Sequence, residues 1–396
     1  MDRAFLSVGL RPFFLAAGAW ACLAMGLWLG VLSGLPQPPT HFAPSVWHAH
    51  EMIFGYAAAA IAGFVLTAVP NWTGRPPRRG PVLAGLFVLW LAGRGAVAFS
   101  AVIGPFPAAL IDCAFLAVLA GLLAADILRA GNRRNLVIVL ALLLLFSANL
   151  AVHLGEGLSG GGTSGGQGAF GLRLGLAVIV LLITVVGGRI TPAFTGNWLK
   201  RKGETAPPAP AGRIDGLALA AGALALAAWS VLPGHAASAL LLVLAGILHG
   251  LRLARWRGLA TLSEPLVWIL HLGYAWVALG LLGLGLAHWL PVPGPGAALH
   301  VLAAGAVGTM TMAVMTRATL GHTGRALAAG PGTLRAYLLV IAAAAARVGA
   351  GFAGGLEGAM TMAAGGLWVA GFGLFVILYG PMHLGPAAAG EDAAHG

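Results

Sequence analysis

Trp47-His48-Ala49-His50-Glu51 runs without a turn signal into Met52-Ile53-Phe54-Gly55-Tyr56-Ala57-Ala58-Ala59-Ala60-Ile61-Ala62-Gly63-Phe64-Val65-Leu66-Thr67-Ala68-Val69. The second part is an apolar run of the kind that crosses a bilayer as a helix, which needs about 20 such residues. The first part places two imidazoles and a carboxylate at its mouth. Ionisable groups at membrane depth are costly and mark functional sites by default. A metal or haem site is the leading reading of this stretch.

Composition agrees with the membrane reading. Of 396 residues, 59% are hydrophobic and 8% charged, whereas soluble domains carry roughly 25% charged residues. Further runs of bilayer length follow along the chain. Only helices or closed barrels satisfy the backbone in lipid, and the short alternating segments of a barrel are missing. The expected class is an all-α polytopic membrane protein. The 61 glycines suit close helix packing in lipid. A net charge of +11 would suggest nucleic acid on a soluble protein. Here the basic residues sit in short loops, where they set topology, so no nucleic-acid partner is expected. Cys22 and Cys113 lie in apolar runs without CxxC spacing and read as packing residues. The segment Met1 to Leu10 with Arg11-Pro12 shows no small-residue cleavage site and reads as part of a retained first helix.

Punctuation by Pro, Gly and Arg divides the chain into twelve expected spans, near 12–34, 46–69, 81–103, 107–128, 135–155, 170–191, 215–232, 236–254, 264–290, 297–316, 333–354 and 357–380. They form a single transmembrane domain, 1–396. A longer cytoplasmic loop at 197–213 carries Lys200-Arg201-Lys202 and joins two halves of six spans. With both termini in the cytoplasm, the clusters at Arg75, Arg78 and Arg79, at Arg129, Arg133 and Arg134, at Lys200 to Arg213, at Arg252 to Arg257 and at Arg317 to Arg335 all face inward. Arg94, Arg173 and Arg347 are the exceptions in the outer half, which also holds Glu51, Asp112, Glu156 and Glu357. Two readings stand for these arginines. They pair with the carboxylates, or, as Arg94 and Arg173 suggest, they clamp haem propionates through the planar guanidinium fork.

The topology sorts the histidines by depth at 1.5 Å per helical residue. His48, His50, His153 and His300 share an outer level. His249 and His271 lie deeper, and His322 follows span ten in an inner loop. Residues two apart point to nearly opposite helix faces, so His48 and His50 do not share one metal on a regular helix. His300 with one of them is expected to hold an outer haem b, with His153 as a nearby metal ligand. His271, with His249 or His322, forms a weaker inner candidate. Glu51 and Glu156 are candidate proton relays. Met310, Met312 and Met315 suit copper(I), although packing is the commoner use of methionine.

Spans two, six and ten leave through similar corners: Pro70-Asn71-Trp72-Thr73-Gly74-Arg75, Thr191-Pro192-Ala193-Phe194-Thr195-Gly196-Asn197-Trp198 and Leu320-Gly321-His322-Thr323-Gly324-Arg325. The recurrence every four spans points to three four-helix groups. That outline is similar to the haem–copper oxidase architecture, with histidines on spans two and ten, although span six lacks a copper histidine.

Longer motifs carry a second resemblance: Gly9-Leu10-Arg11-Pro12-Phe13-Phe14, Trp47-His48-Ala49-His50-Glu51-Met52, Ala68-Val69-Pro70-Asn71-Trp72-Thr73-Gly74-Arg75, Gly187-Gly188-Arg189-Ile190-Thr191-Pro192-Ala193-Phe194-Thr195, His271-Leu272-Gly273-Tyr274-Ala275-Trp276 and Val314-Met315-Thr316-Arg317-Ala318-Thr319-Leu320-Gly321-His322-Thr323-Gly324-Arg325. Together they resemble the NnrS family, membrane proteins of the bacterial nitric oxide response. The resemblance implies one or two haems b, with copper as a second metal, in the bacterial cytoplasmic membrane. The expected function is binding and reduction of nitric oxide in nitrosative stress defence linked to denitrification, with electrons from quinol or a periplasmic donor. The alternatives are a non-catalytic haem sensor or electron-transfer cytochrome, and a twelve-helix transporter. Transporters use broken helices and midplane polar sites, whereas these polar groups gather toward one face.

Overall fold

A computed structural model describes residues 4–155, 168–290 and 296–388. Every regular element among the described residues is helical. Twelve helices are long and apolar enough to cross a membrane: α1 Leu10–Leu32, α2 Pro44–Thr73, α3 Pro81–Ala98, α4 Pro105–Arg129, α5 Arg133–Gly155, α6 Gly168–Arg201, α7 Arg213–Val231, α8 Ala236–Ala254, α9 Pro265–Leu286, α10 Gly296–His322, α11 Pro331–Ala350 and α12 Gly354–Leu384. This is an all-α, multi-pass membrane protein. Large apolar side chains such as Val88, Leu140, Leu224 and Ile377 are exposed along the helices, as a lipid-facing surface requires.

The helix ends differ from the sequence expectation in informative places. Helices α2, α6 and α10 run on through their polar corners, so Pro70 and Pro192 lie inside helices. Proline is tolerated there because neighbouring side chains re-satisfy freed backbone groups in membrane helices. The inter-half loop is correspondingly shorter, since α6 continues to Arg201 and α7 starts at Arg213. Span three stops at Ala98, and a separate turn, Ser100–Ile103, follows. The glycine-rich segment Leu158 to Gly168 falls largely outside the described residues.

Three of the long helices contain a π-helical turn: Glu51–Ala57 in α2, Ile183–Gly187 in α6 and Val301–Gly308 in α10. These are the three spans singled out by their exit corners. π turns are rare and concentrate at functional sites.

The chain forms two compact units. The first comprises Met1–Val178, Ala318–Arg325 and Phe375–Gly396. Its core holds Phe13, whose ring lies 5.7 Å from that of Phe115. Small residues let helices approach closely: a Cβ on Gly63 would sit 2.6 Å from the Phe14 ring, and one on Gly18 would sit 2.7 Å from Phe375. The second unit comprises Ile179–Arg317 and Ala326–Leu374. Its core packs Trp256 against Tyr274 at 4.6 Å, and Gly308 leaves room for Trp368. Neither unit by itself assigns the three-group arrangement resembling the haem–copper oxidases.

Helix α2 ends on Gly74 at φ 68°, whose N–H bonds the Pro70 carbonyl. A side chain in this left-handed conformation costs about 1–2 kcal/mol. Gly74→Ala should therefore lower the thermal midpoint in detergent by a few degrees. An unchanged midpoint would mean the corner relaxes.

Candidate metal centre

Pro44 opens α2 at its first turn, a position where its missing N–H costs nothing. The regular helix carries His48 and His50 to opposite sides. His48 stacks on Trp28, with ring centroids 4.7 Å apart and planes at 15°. His50 is fully buried on the other side. The π turn begins at the next residue, Glu51, and its Gly55 lies against the site. A Cβ there would come within 2.8 Å of Glu51 Oε2 and of the Trp20 ring, so only glycine fits.

Four further helices of the first unit complete the site. Glu51 Oε2 accepts from Trp20 Nε1 of α1 at 2.7 Å. Arg94 Nη1 of α3 donates to both oxygens of Glu51 at 2.9 Å, and its Nη2 donates to Asp112 Oδ1 of α4. Asp112 Oδ2 accepts from Asn149 Nδ2 at 2.8 Å and faces His153 Nε2 at 3.0 Å, both on α5. The same oxygen lies 3.2 Å from His50 Nε2. His50 Nε2 also faces Asn149 Oδ1 at 2.8 Å, while its Nδ1 faces Glu51 Oε1 at 3.1 Å. Arg94 thus takes the carboxylate-pairing role rather than standing free for a propionate.

The donor atoms of His50, Asp112 and His153 lie within 4.8 Å of one another, and all three residues are buried. Ligands about 2.1 Å from a tetrahedral ion sit roughly 3.4 Å apart, so small adjustments would bring the three onto one ion. Two imidazoles with one carboxylate suit iron or another first-row transition metal. Glu51 on the far nitrogen of His50 matches the carboxylate that usually orients a ligating imidazole. Charge points the same way. Glu51 and Asp112 bring two negative charges against the one positive charge of Arg94. Buried charge needs compensation, and a cation or proton among the imidazoles supplies it.

A loop closes the site. Phe42 is 3% exposed, and its ring lies 5.0 Å from that of His50 and 5.1 Å from that of His153. Ser100, just past α3, pins this loop: its Oγ accepts from the His41 N–H at 2.9 Å and pairs with Thr40 Oγ1 at 3.1 Å.

The remaining candidates lie elsewhere. His249, His271 and His300 belong to the second unit. His249 Nδ1 pairs with the Tyr274 hydroxyl at 2.7 Å, and its Nε2 is closed in by Gly222, where a Cβ would stand 2.8 Å away. The Thr195 hydroxyl donates to the Thr191 carbonyl, so it accepts from His271 Nε2 at 2.8 Å. His271 Nδ1 abuts Gly258, where a Cβ would come within 2.7 Å. His300 is half-buried, with Nδ1 donating to the Gly296 carbonyl at 2.7 Å. His322 is exposed at the end of α10, and Arg173 is half-buried on α6. Glu156 lies outside the described residues. Met310 packs its methyl against Gly187 and Gly273, a core role.

The family model described as NnrS protein matches residues 4–386. The chain belongs to the NnrS family. Membership supports a role for this NnrS protein in the nitric oxide response. No curated protein matches the chain. For the metal and haem that the NnrS resemblance implies, the two fits differ. His50, Asp112 and His153 offer converging donors for an ion. A haem needs an imidazole nitrogen free of other partners; both nitrogens of His50 are engaged by Glu51, Asn149 and Asp112, whereas among the described residues His249 Nε2 and His271 Nδ1 are buried without a hydrogen-bond partner. His50 does not fit as a haem ligand in this arrangement.

Sequence reasoning gave Asp112 only an ion-pair role, which the contact with Arg94 matches, and named no site role for Asn149. A carboxylate inside the apolar run of α4 was the available signal. Its pairing with an outer arginine accounted for it without a metal.

Proposed function

We propose that this protein binds and reduces nitric oxide at a metal centre in the bacterial cytoplasmic membrane, with both termini in the cytoplasm. The buried convergence of His50, Asp112 and His153 carries the reading. His50 and His153 would present nitrogen ligands and Asp112 an oxygen. Nitric oxide is small and uncharged, so it reaches a membrane-embedded site through lipid. A bound transition metal with an open position supplies coordination of nitric oxide and one-electron transfer to it. Reduction joins two nitric oxide molecules with two protons and two electrons, giving nitrous oxide and water. Quinol or a periplasmic protein would supply the electrons. Glu51 touches both His50 and Arg94, so it can hold a proton beside the centre while Arg94 keeps the carboxylates in place. Family membership supports haem b, with copper as a further metal, and the haem would need a histidine other than His50.

Purified protein should contain bound transition metal by elemental analysis, and His50→Ala and His153→Ala should each lose it. Nitric oxide added to the reduced protein should change its optical and paramagnetic spectra and yield nitrous oxide. Folded wild-type protein free of both metal and haem would sink the proposal. Spectral change without nitrous oxide would reduce it to a sensor.

A further inference from the structure

The helices α2 and α10 are copies of one device. With a constant separation of 250 positions, His50 matches His300, Gly55 matches Gly305, Thr73-Gly74-Arg75 matches Thr323-Gly324-Arg325, and Gly80-Pro81 matches Gly330-Pro331. The backbone repeats with the sequence. In each helix the π turn starts at the residue after the histidine. Gly74 and Gly324 share φ 68°. Pro81 and Pro331 each open the next helix. The π-turn glycine meets a tryptophan in both places, Trp20 at Gly55 and Trp276 at Gly305.

The side chains around the second copy have changed in one direction. Val301 stands where the first copy has Glu51, and Ala344 stands at the position of Arg94. An arginine returns one turn along α11 as Arg347, on the same face, within electrostatic reach of His300. In the first copy the tryptophan N–H and the arginine share the Glu51 carboxylate. In the second, Trp276 Nε1 is buried without an acceptor among the described residues. Among the described residues no carboxylate lies within ion-pair distance of Arg347, and Glu357, within electrostatic reach, is exposed. His300 gives its Nδ1 proton to the Gly296 carbonyl. Its Nε2 therefore carries the lone pair, the tautomer that a metal-ligating imidazole adopts.

We infer that His300 is the axial ligand of a haem and that Arg347 binds one of its propionates. The haem would bring both the metal for Nε2 and the carboxylate that this copy of the device lacks. Apolar Val301 beside the histidine suits the macrocycle where Glu51 would not. The two copies thus divide the work: carboxylates around His50 hold an ion, and their loss around His300 makes room for a porphyrin. This inference rests on the reading that the protein carries haem.

The test compares haem absorbance per chain with transition-metal content in detergent-purified full-length variants. His300→Ala should lose the Soret band and keep the metal held by His50. His300→Gly should regain the band when imidazole is supplied, which a merely misfolded variant would not do. Arg347→Gln should weaken haem retention about tenfold, as loss of a supporting contact does, with the ligand-field bands of the remaining haem unshifted. Asp112→Asn should do the converse, losing the ion and keeping the Soret band. Full haem content in His300→Ala would overturn the assignment while leaving the haem reading intact. Wild-type protein without any Soret band would overturn both.

Discussion

Asp112→Ala is expected to be the most damaging single change in the first unit. Asp112 accepts from Arg94 and Asn149 and faces both His50 and His153. Alanine would leave the Arg94 guanidinium half-partnered in a buried site and the two imidazoles without their shared oxygen. Breaking a buried charge pair by removing one partner costs about 3–5 kcal/mol. The expected outcome is little monodisperse protein in detergent and a strongly lowered thermal midpoint. Asp112→Asn separates fold from function. The amide keeps the volume and one oxygen for Arg94, so the protein should fold, but it supplies no anionic ligand and should lose the ion. A thermal midpoint for Asp112→Ala equal to wild type would show that the network contributes nothing to stability.

Arg252→Leu should have a comparable effect in the second unit. The Arg252 guanidinium bonds Asp215 Oδ1 at 2.9 Å, the Thr184 carbonyl at 2.8 Å and the Tyr274 hydroxyl at 2.7 Å. It also lies over Trp256, 5.3 Å from the ring centroid. Thr184 belongs to the π turn of α6, so leucine would strip a partner from a carbonyl inside that turn. Asp215 would keep Arg255, which is partly exposed, and the Gly212 N–H at 2.9 Å. The expected loss is again about 3–5 kcal/mol, read as a drop in thermal midpoint. Arg252→Leu with Asp215→Asn should recover part of it, because the second change removes a carboxylate that has lost one of its two arginines. No recovery would mean that the bonds to Thr184 and Tyr274 carry the stability. Gly188→Ala should resemble Arg252→Leu, since the guanidinium occupies the space a Cβ would need.

The twelve spans were legible because bilayer thickness imposes a length and lipid imposes apolarity, and both show directly in the residues. Helix ends near Pro70 and Pro192 were not. Local rules stop a helix at such corners, whereas here the helices pass through both prolines. The opposed faces of His48 and His50 followed from helical geometry and match Trp28 on one side and Asp112 on the other. The shared level of His50 and His153 was readable from depth. Which helices are neighbours was not, so the link from Glu51 through Arg94 to Asp112 could only be listed as compatible charges. The π turns leave no periodic trace in an apolar run. Their effect becomes visible only when the histidine before each one is placed in three dimensions.

Phe42 shuts the two imidazoles off from water, and Ser100 holds the loop that carries it. A hydrated cation bound for the proposed site would need that loop to lift, while an uncharged diatomic gas would not. An ion held there would be taken up most readily as the chain inserts and folds. Cells starved of the right metal during synthesis would be left with empty copies, refilled later only at the pace of loop opening.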